Sequence, residues 1–140
     1  METTVLTLRT GDAERVVDLT ERCDDWLGEI GAQEGLLHVF VPHATAGVAI
    51  IETGSGSDDD LLAALRTLLP EDGPAGRGWR HAHGSPGHGR DHVLPAFVRP
   101  DVTVPVLQGR LALGTWQSIT LVDTNVDNTQ RHVRLSFLAG

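Results

Sequence analysis

Five histidines in two stretches hold most of the chemical potential of this sequence. Trp79-Arg80-His81-Ala82-His83-Gly84-Ser85-Pro86-Gly87-His88-Gly89-Arg90-Asp91-His92 contains four of the chain's seven histidines. Glycines and a proline separate them, with no apolar face at period 2 or 3.6, so the stretch reads as a loop. His43 stands in Val41-Pro42-His43-Ala44-Thr45-Ala46-Gly47, directly after an apolar run. Imidazole titrates near about pH 6.5 and can move protons, ligate metal or pair with phosphate. We expect the two stretches to converge on one active site, with His43, His81 and His92 in a shared pocket. Small residues after His43 would let a ligand approach the backbone closely.

The residue types around them exclude some chemistries and leave others open. Glu52 ends the apolar run after His43, where an acid is either solvated or held as partner to a cation or histidine. His81, His83, His88 and His92 match no recognised ligand spacing, and H-E-x-x-H is absent. A zinc site would need about three or four converging N or O ligands. Ser85 and Ser118 lack the setting of a nucleophile elbow. All eleven basic residues other than histidine are arginine, which rules out lysine Schiff bases and the lysine-bearing P-loop. Gly54-Ser55-Gly56 therefore reads as a linker. Cys23 is the single cysteine, so neither an intrachain disulfide nor a thiolate cluster can form.

These residues must be positioned by one domain, because 140 residues support a single core. A net charge of -8 argues against nucleic acid as a partner, while small anions remain compatible with local arginines. No signal-like h-region is seen, and no apolar run reaches the roughly 20 residues that span a bilayer. The expectation is a cytoplasmic protein without a membrane partner.

Strands are expected over Thr3–Arg9, Arg15–Leu19, Gly35–Val41 and Gly47–Glu52, the third buried on both sides. Gln108-Gly109 reads as a hairpin turn between 102–106 and 110–113, and strands close the chain at Ser118–Asp123 and His132–Leu138. His38 falls within a strand and reads as structural. Thr20 is expected to cap a helix over Glu21–Ile30 that buries Cys23, Trp26, Leu27 and Ile30. Ser57 is expected to cap a second helix, with Asp58, Asp59 and Asp60 in its first turn favoured by the dipole. Leu61, Leu62, Leu65, Leu68 and Leu69 form its apolar face, and Pro70 ends it. Residues 71–92 read as irregular, a length that in compact domains usually carries function. With about eight short strands and two helices, the class is α+β, built on a mainly antiparallel sheet, as one domain over 1–140.

Several of these runs together resemble the YjbQ-like family of secondary thiamine-phosphate synthases. Val41-Pro42-His43-Ala44-Thr45-Ala46 with Glu52 resembles its H-T-S-A…N-E segment. Trp79-x-His81 resembles Y-x-H, and His92-Val93 resembles the start of H-[IL]-K. The most specific match runs from Val104-Pro105-Val106 through Gly109-Arg110-Leu111 to Leu113-Gly114-Thr115-Trp116-Gln117-x-Ile119. Departures are Ile51 in place of the asparagine before Glu52, Leu94 in place of the lysine after His92, and a missing Asp-Pro.

The resemblance implies a YjbQ-like sandwich that assembles as a homotrimer, with sites near subunit boundaries. It implies a transferase that joins a pyrimidine pyrophosphate to a thiazole phosphate and releases pyrophosphate. On that pattern His43, Glu52, His81 and His92 are the catalytic candidates, and Thr45, His88, Arg110 and Gln117 would hold phosphorylated metabolites. A second reading is a metal-dependent hydrolase in which His43, His81 and His92 hold a divalent metal that activates water. A third is a non-enzymatic trimer that binds a small anion. Trp116, able to bury about 150–250 Å², is expected inside the protomer or at a subunit contact, with Gln117 pointing to the site.

Overall fold

In the computed structural model, which describes residues 1–140, eight strands and three helices follow one another. The first half runs β1 (Glu2–Arg9), β2 (Arg15–Asp18), α1 (Thr20–Glu29), β3 (Gly35–Phe40), β4 (Ala46–Ile51) and α2 (Ser57–Leu68). The second runs α3 (His88–Asp91), β5 (Asp101–Leu107), β6 (Arg110–Leu111), β7 (Ser118–Asp123) and β8 (Gln130–Ala139). One sheet has the order β1-β8-β3-β5-β6 and the other β2-β7-β4, and each neighbouring pair is antiparallel. This is the α+β class with antiparallel pairing expected from the patterning, and the β-sandwich that the family resemblance implies. The addition is α3, a single turn inside the stretch read as irregular. No helix is long and apolar enough to cross a membrane.

Apolar side chains from both sheets meet between them, including Leu37, Val39 and Leu135 from one and Val48, Ile119 and Leu121 from the other. Helix α1 adds Cys23, Trp26 and Leu27, the one-sided spacing that a period of 3.6 gives. Burial pushes the Cys23 thiol up to about 12, with Asp24 and Asp18 adding to the shift, so it is a core residue and not a nucleophile. On the outer side of the smaller sheet, Val122 packs with Leu65 and Leu69 from the α2 segment and with Leu94 and Val98. The smaller sheet is thus covered on both faces. The larger sheet is not: Val5, Leu36, Phe40 and Leu138 are exposed on it. Strand β3 accordingly alternates in burial, instead of being buried on both sides, because no layer covers the outer face.

Both helix starts differ from expectation. Leu19 precedes α1, and the Thr20 hydroxyl instead accepts the Ile119 N–H at 3.0 Å, tying helix to sheet. Gly56, with φ 96°, precedes α2, and the Asp58 carboxylate accepts the Gly54 N–H at 3.1 Å. Leu68 is exposed, since α2 buries only Leu62 and Leu65 within its own span. His38 is a surface side chain within 3.0 Å of the Thr103 hydroxyl.

Strand direction sorts the molecule into two ends. Phe40 leads out of β3 toward His43, Ala46 pairs with Asp123, and Arg131 opens β8; these share one end. Ile51 pairs with Ser118, and Gly35 with Val106, at the other.

Candidate functional site

Two close approaches gather the histidines. A Cβ on Gly89 would collide with the Trp79 Cβ and lie 2.6 Å from the His81 carbonyl, so only glycine lets α3 rest on the 79–81 segment. Gly84 has φ +80°, and a Cβ there would sit 2.7 Å from Asp127 and 2.8 Å from the His88 ring. The chain can therefore double back on itself, and the nitrogens of His81, His83, His88 and His92 come within 4.8 Å of one another.

His88 is the fixed member of the cluster. It is buried, and its Nδ1 lies 2.7 Å from the Asp127 carboxylate, to which Nδ1–H donates. That leaves the Nε2 lone pair directed at His92 Nε2, 2.9 Å away. Asn125 stands beside this contact, with Nδ2 3.0 Å from His88 Nδ1 and donating to Asp91 at 2.9 Å. Its Oδ1 accepts the backbone N–H groups of Asp127 and Asn128 at 3.1 and 3.0 Å, which fixes the amide's orientation. The Thr124 hydroxyl donates to Asp91 at 2.7 Å. Asp127 is held below the usual carboxylate range, first by the Ser85 N–H, then by the Ser85 hydroxyl and His88. Arg90 is buried against Glu14, which also takes Arg66 at 2.5 Å. His92 is held below the usual imidazole range by loss of hydration and by charge on His81, His88 and His83. The lowered pKa favours the neutral ring, the form that can donate a lone pair.

This donor set fits a divalent transition ion. Ligand nitrogens about 2.0–2.1 Å from a tetrahedral zinc stand about 3.3 Å apart. The cluster brackets that spacing, with His88 and His92 nitrogens 2.9 Å apart and all four within 4.8 Å. Imidazole suits zinc, copper, nickel or iron, whereas magnesium and calcium want oxygen. A carboxylate on the far nitrogen of one ligand, as Asp127 provides for His88, is the arrangement that orients metal-binding histidines.

His43 belongs to the same neighbourhood with a different role. Its Nε2 accepts the His132 backbone N–H at 2.9 Å, which occupies that lone pair and places the ring proton on Nδ1. Burial lowers its pKa, with Arg131 and His132 adding to the effect, which favours the neutral ring that this hydrogen bond uses. A ring so engaged has no free lone pair for a metal, and it stands apart from the four-histidine cluster. A groove of about 360 Å³ lies between His43 and that cluster, lined among others by Thr45, His83, His88, His92 and Arg131. Beneath it the Arg131 guanidinium pairs with Asp123 through Nε at 2.7 Å and Nη2 at 2.8 Å, and Nη2 also donates to the Thr45 hydroxyl at 3.0 Å.

The sequence-based candidates divide accordingly. His43, Thr45, His88 and His92 line one groove. His81 joins the cluster, its ring 4.1 Å from that of His92, but faces a second groove on the Trp79 side. Glu52, Arg110 and Gln117 do not join them. Glu52 is exposed beyond the Ile51 end of β4, about 17 Å of strand from Ala46. Arg110 follows the far end of β5, and the Gln117 amide oxygen accepts the Gly114 N–H at 2.8 Å in its own turn. Within the protomer, then, none of the three touches the histidines. Trp116 is 73% exposed, which removes the option of burial inside the protomer. The H-x-basic spacing sought at His92-Val93-Leu94 occurs at His88-Gly89-Arg90, where both polar residues are buried. Sequence reasoning missed Asp91, Asp123, Asn125, Asp127 and Arg131. The run Asp123-Thr124-Asn125-Val126-Asp127-Asn128 directly after a buried strand was the available signal.

Similarity to known proteins extends over nearly the whole chain. The family model described as "UPF0047 protein YjbQ-like" matches residues 4–140. UPF0047 protein Rv2556c of Mycobacterium tuberculosis is 58% identical over 140 residues, covering 100% of each chain. A UPF0047 protein of Archaeoglobus fulgidus is 32% identical over 129 residues, 90% of this chain and 94% of that one. Among solved structures, hypothetical protein APE1520 of Aeropyrum pernix superposes with a TM-score of 0.88 at 34% identity, covering 100% of both chains. A protein of Sulfolobus solfataricus, SSO2532, has the same fold, with a TM-score of 0.89 at 24% identity over 99% of this chain and 97% of that one.

Proposed function

The chain belongs to the YjbQ-like UPF0047 family, and from that premise we propose that it is a metal-dependent hydrolase of small phosphorylated metabolites. The observation that carries this reading is the convergence of four imidazole nitrogens within 4.8 Å beside an open groove. The electrostatics support it. Arg131, the arginine that lines the groove, is already paired with Asp123, so its charge is neutralised. An anionic substrate there needs another positive charge. A divalent ion supplies that charge, Lewis acidity and a water of lowered pKa.

The protein's own groups do the rest. His88, braced by Asp127, would hold the ion together with His81, His83 and His92. The His43 Nδ1–H is a preorganised donor for a developing oxyanion. Because the Thr45 hydroxyl oxygen accepts from Arg131, its own proton is free to point elsewhere. Chelation with EDTA is expected to abolish release of nitrophenol from 4-nitrophenyl phosphate, and zinc, manganese or cobalt to restore it. Release that survives chelation unchanged would sink the hydrolase reading.

A second reading, the transferase that joins a pyrimidine pyrophosphate to a thiazole phosphate, is favoured by one observation. Grooves open on both sides of the cluster and His92 lines both, as a two-substrate reaction needs. Pyrophosphate released only when both substrates are present would select it. For either reaction we propose a homotrimer assembled through the uncovered face that carries Val5, Leu36, Phe40 and Leu138. In that assembly Glu52, Arg110 and Gln117 would serve a neighbouring protomer's groove. Light scattering is expected to give about three times the 15.0 kDa chain mass; a mass of one chain would reject the assembly.

A further inference from the structure

We infer that the groove on the His43 side carries a seat for a carboxylate, formed by the Arg131 Nη1–H, the Thr45 hydroxyl and the His43 Nδ1–H. The floor of that groove is a charged side chain taken out of water, since the Arg131 side chain is only 2% exposed. Burying a guanidinium is costly unless its N–H groups find partners. Nε and Nη2 have theirs: they hold Asp123 side-on at 2.7 and 2.8 Å, and Nη2 also donates to the Thr45 hydroxyl at 3.0 Å. Nη1 does not. It makes no hydrogen bond within the chain and is not sealed from solvent, and the groove is the space that Arg131 lines.

The planar guanidinium fixes where that free donor points. Nη1 and Nη2 each direct one N–H off the end of the group, the two running parallel. On Nη2 this hydrogen goes to Thr45, so its Nη1 counterpart runs alongside the Thr45 oxygen. That oxygen accepts from Arg131, which leaves the hydroxyl proton for a ligand. Side-by-side donors of this kind match the two oxygens of a planar carboxylate. His43 adds a third donor on the same groove, because the His132 N–H occupies Nε2 at 2.9 Å and the ring proton stays on Nδ1.

Charge decides which anion suits the seat. Asp123 cancels the Arg131 charge from 2.7 Å behind it, and Thr45 and the His43 ring add donors without adding charge. Such a seat favours a monoanion. The second charge of a phosphate dianion would meet no net attraction there and would be repelled by Asp123. The groove, about 360 Å³, admits a small molecule, and His83, His88 and His92 line it too. A substrate seated by its carboxylate on Arg131 therefore lies beside the proposed metal ligands. The inference rests on the metal-dependent reading only for the bond that is then broken; the seat itself needs no metal.

The test is a titration of isotope-labelled protein, stripped with EDTA and dialysed, followed by the nuclear magnetic resonance of the Arg131 Nε–H and the His132 amide. The probes are propionate and ethylphosphonate, which carry the same alkyl group on a carboxylate and on a phosphonate. Propionate is expected to bind saturably and at least about tenfold more tightly than ethylphosphonate. Thr45→Val is expected to lose at least about tenfold in affinity for propionate, and Thr45→Ser, which keeps the hydroxyl, to stay within about threefold of the parent. Should Thr45→Val fail to fold, the parent's choice between the two probes still decides. No propionate binding, ethylphosphonate bound as tightly as propionate, or undiminished binding by Thr45→Val would each overturn the seat. A protein that takes up no metal would defeat the hydrolase reading and leave propionate binding intact.

Discussion

His88→Ala is expected to empty the histidine cluster of metal and to bring metal-dependent hydrolysis to background. His88 is the buried member, and the only one whose second nitrogen is braced by a carboxylate, Asp127 at 2.7 Å. Outer-shell partners of a metal site are worth about 10–100-fold in affinity, and a direct ligand is worth more. The loss in metal affinity should therefore exceed about 100-fold. His83→Ala removes an exposed ligand and should cost less, with no change in fold. Asp127→Asn should fall between the parent and His88→Ala, because it weakens the hold on Nδ1 without removing the ring. Competition titration with a chromogenic chelator reads all three. Equal affinities for the parent and His88→Ala would dismiss the cluster as a metal site.

Asp123→Ala is expected to be the most destabilising single change at this end of the molecule. Asp123 and Arg131 are buried, and the carboxylate receives two guanidinium bonds at 2.7 and 2.8 Å and the Asn125 N–H at 3.1 Å. Removing one partner of such a pair strands a charge without solvent, at a cost of about 3–5 kcal/mol. That is a large share of the roughly 5–15 kcal/mol that keeps a domain folded, and the melting temperature should drop by roughly 10 °C or more. Asp123→Leu combined with Arg131→Met removes both charges and should be milder than either single change. A double variant worse than Asp123→Ala would show that the pair stabilises the fold in its own right. If Asp123→Ala melted like the parent, the pair would not be buried as described.

Much of this architecture was legible in the sequence because periodicity reports burial. Alternation along Thr3–Arg9 and His132–Leu138 marked β1 and β8, which pair with each other. The Cys23, Trp26, Leu27 spacing marked the buried face of α1. The histidine-rich run announced a site because no packing scheme accounts for it. Glu52 could not be placed in the same way. Its nine-residue separation from His43 hides an intervening strand, which carries the acid to the opposite end of the smaller sheet. Arg110 and Gln117 sit in the most specific sequence match, and that match says nothing about which end of a strand they occupy. The short helix α3 was hidden because its start depends on positive φ at Gly87 and on the fit of Gly89 against Trp79. Asp127 comes to His88 from across the turn between β7 and β8, a long-range contact that no local pattern encodes.

Metal content measured on untagged protein, purified without a nickel column and dialysed against metal-free buffer, tests the central claim most directly. Plasma mass spectrometry should find about one transition-metal ion per chain, with zinc the first candidate, and the ion should be absent from His88→Ala prepared in parallel. A parent protein that neither carries such an ion nor takes one up when zinc, cobalt or nickel is supplied would contradict it.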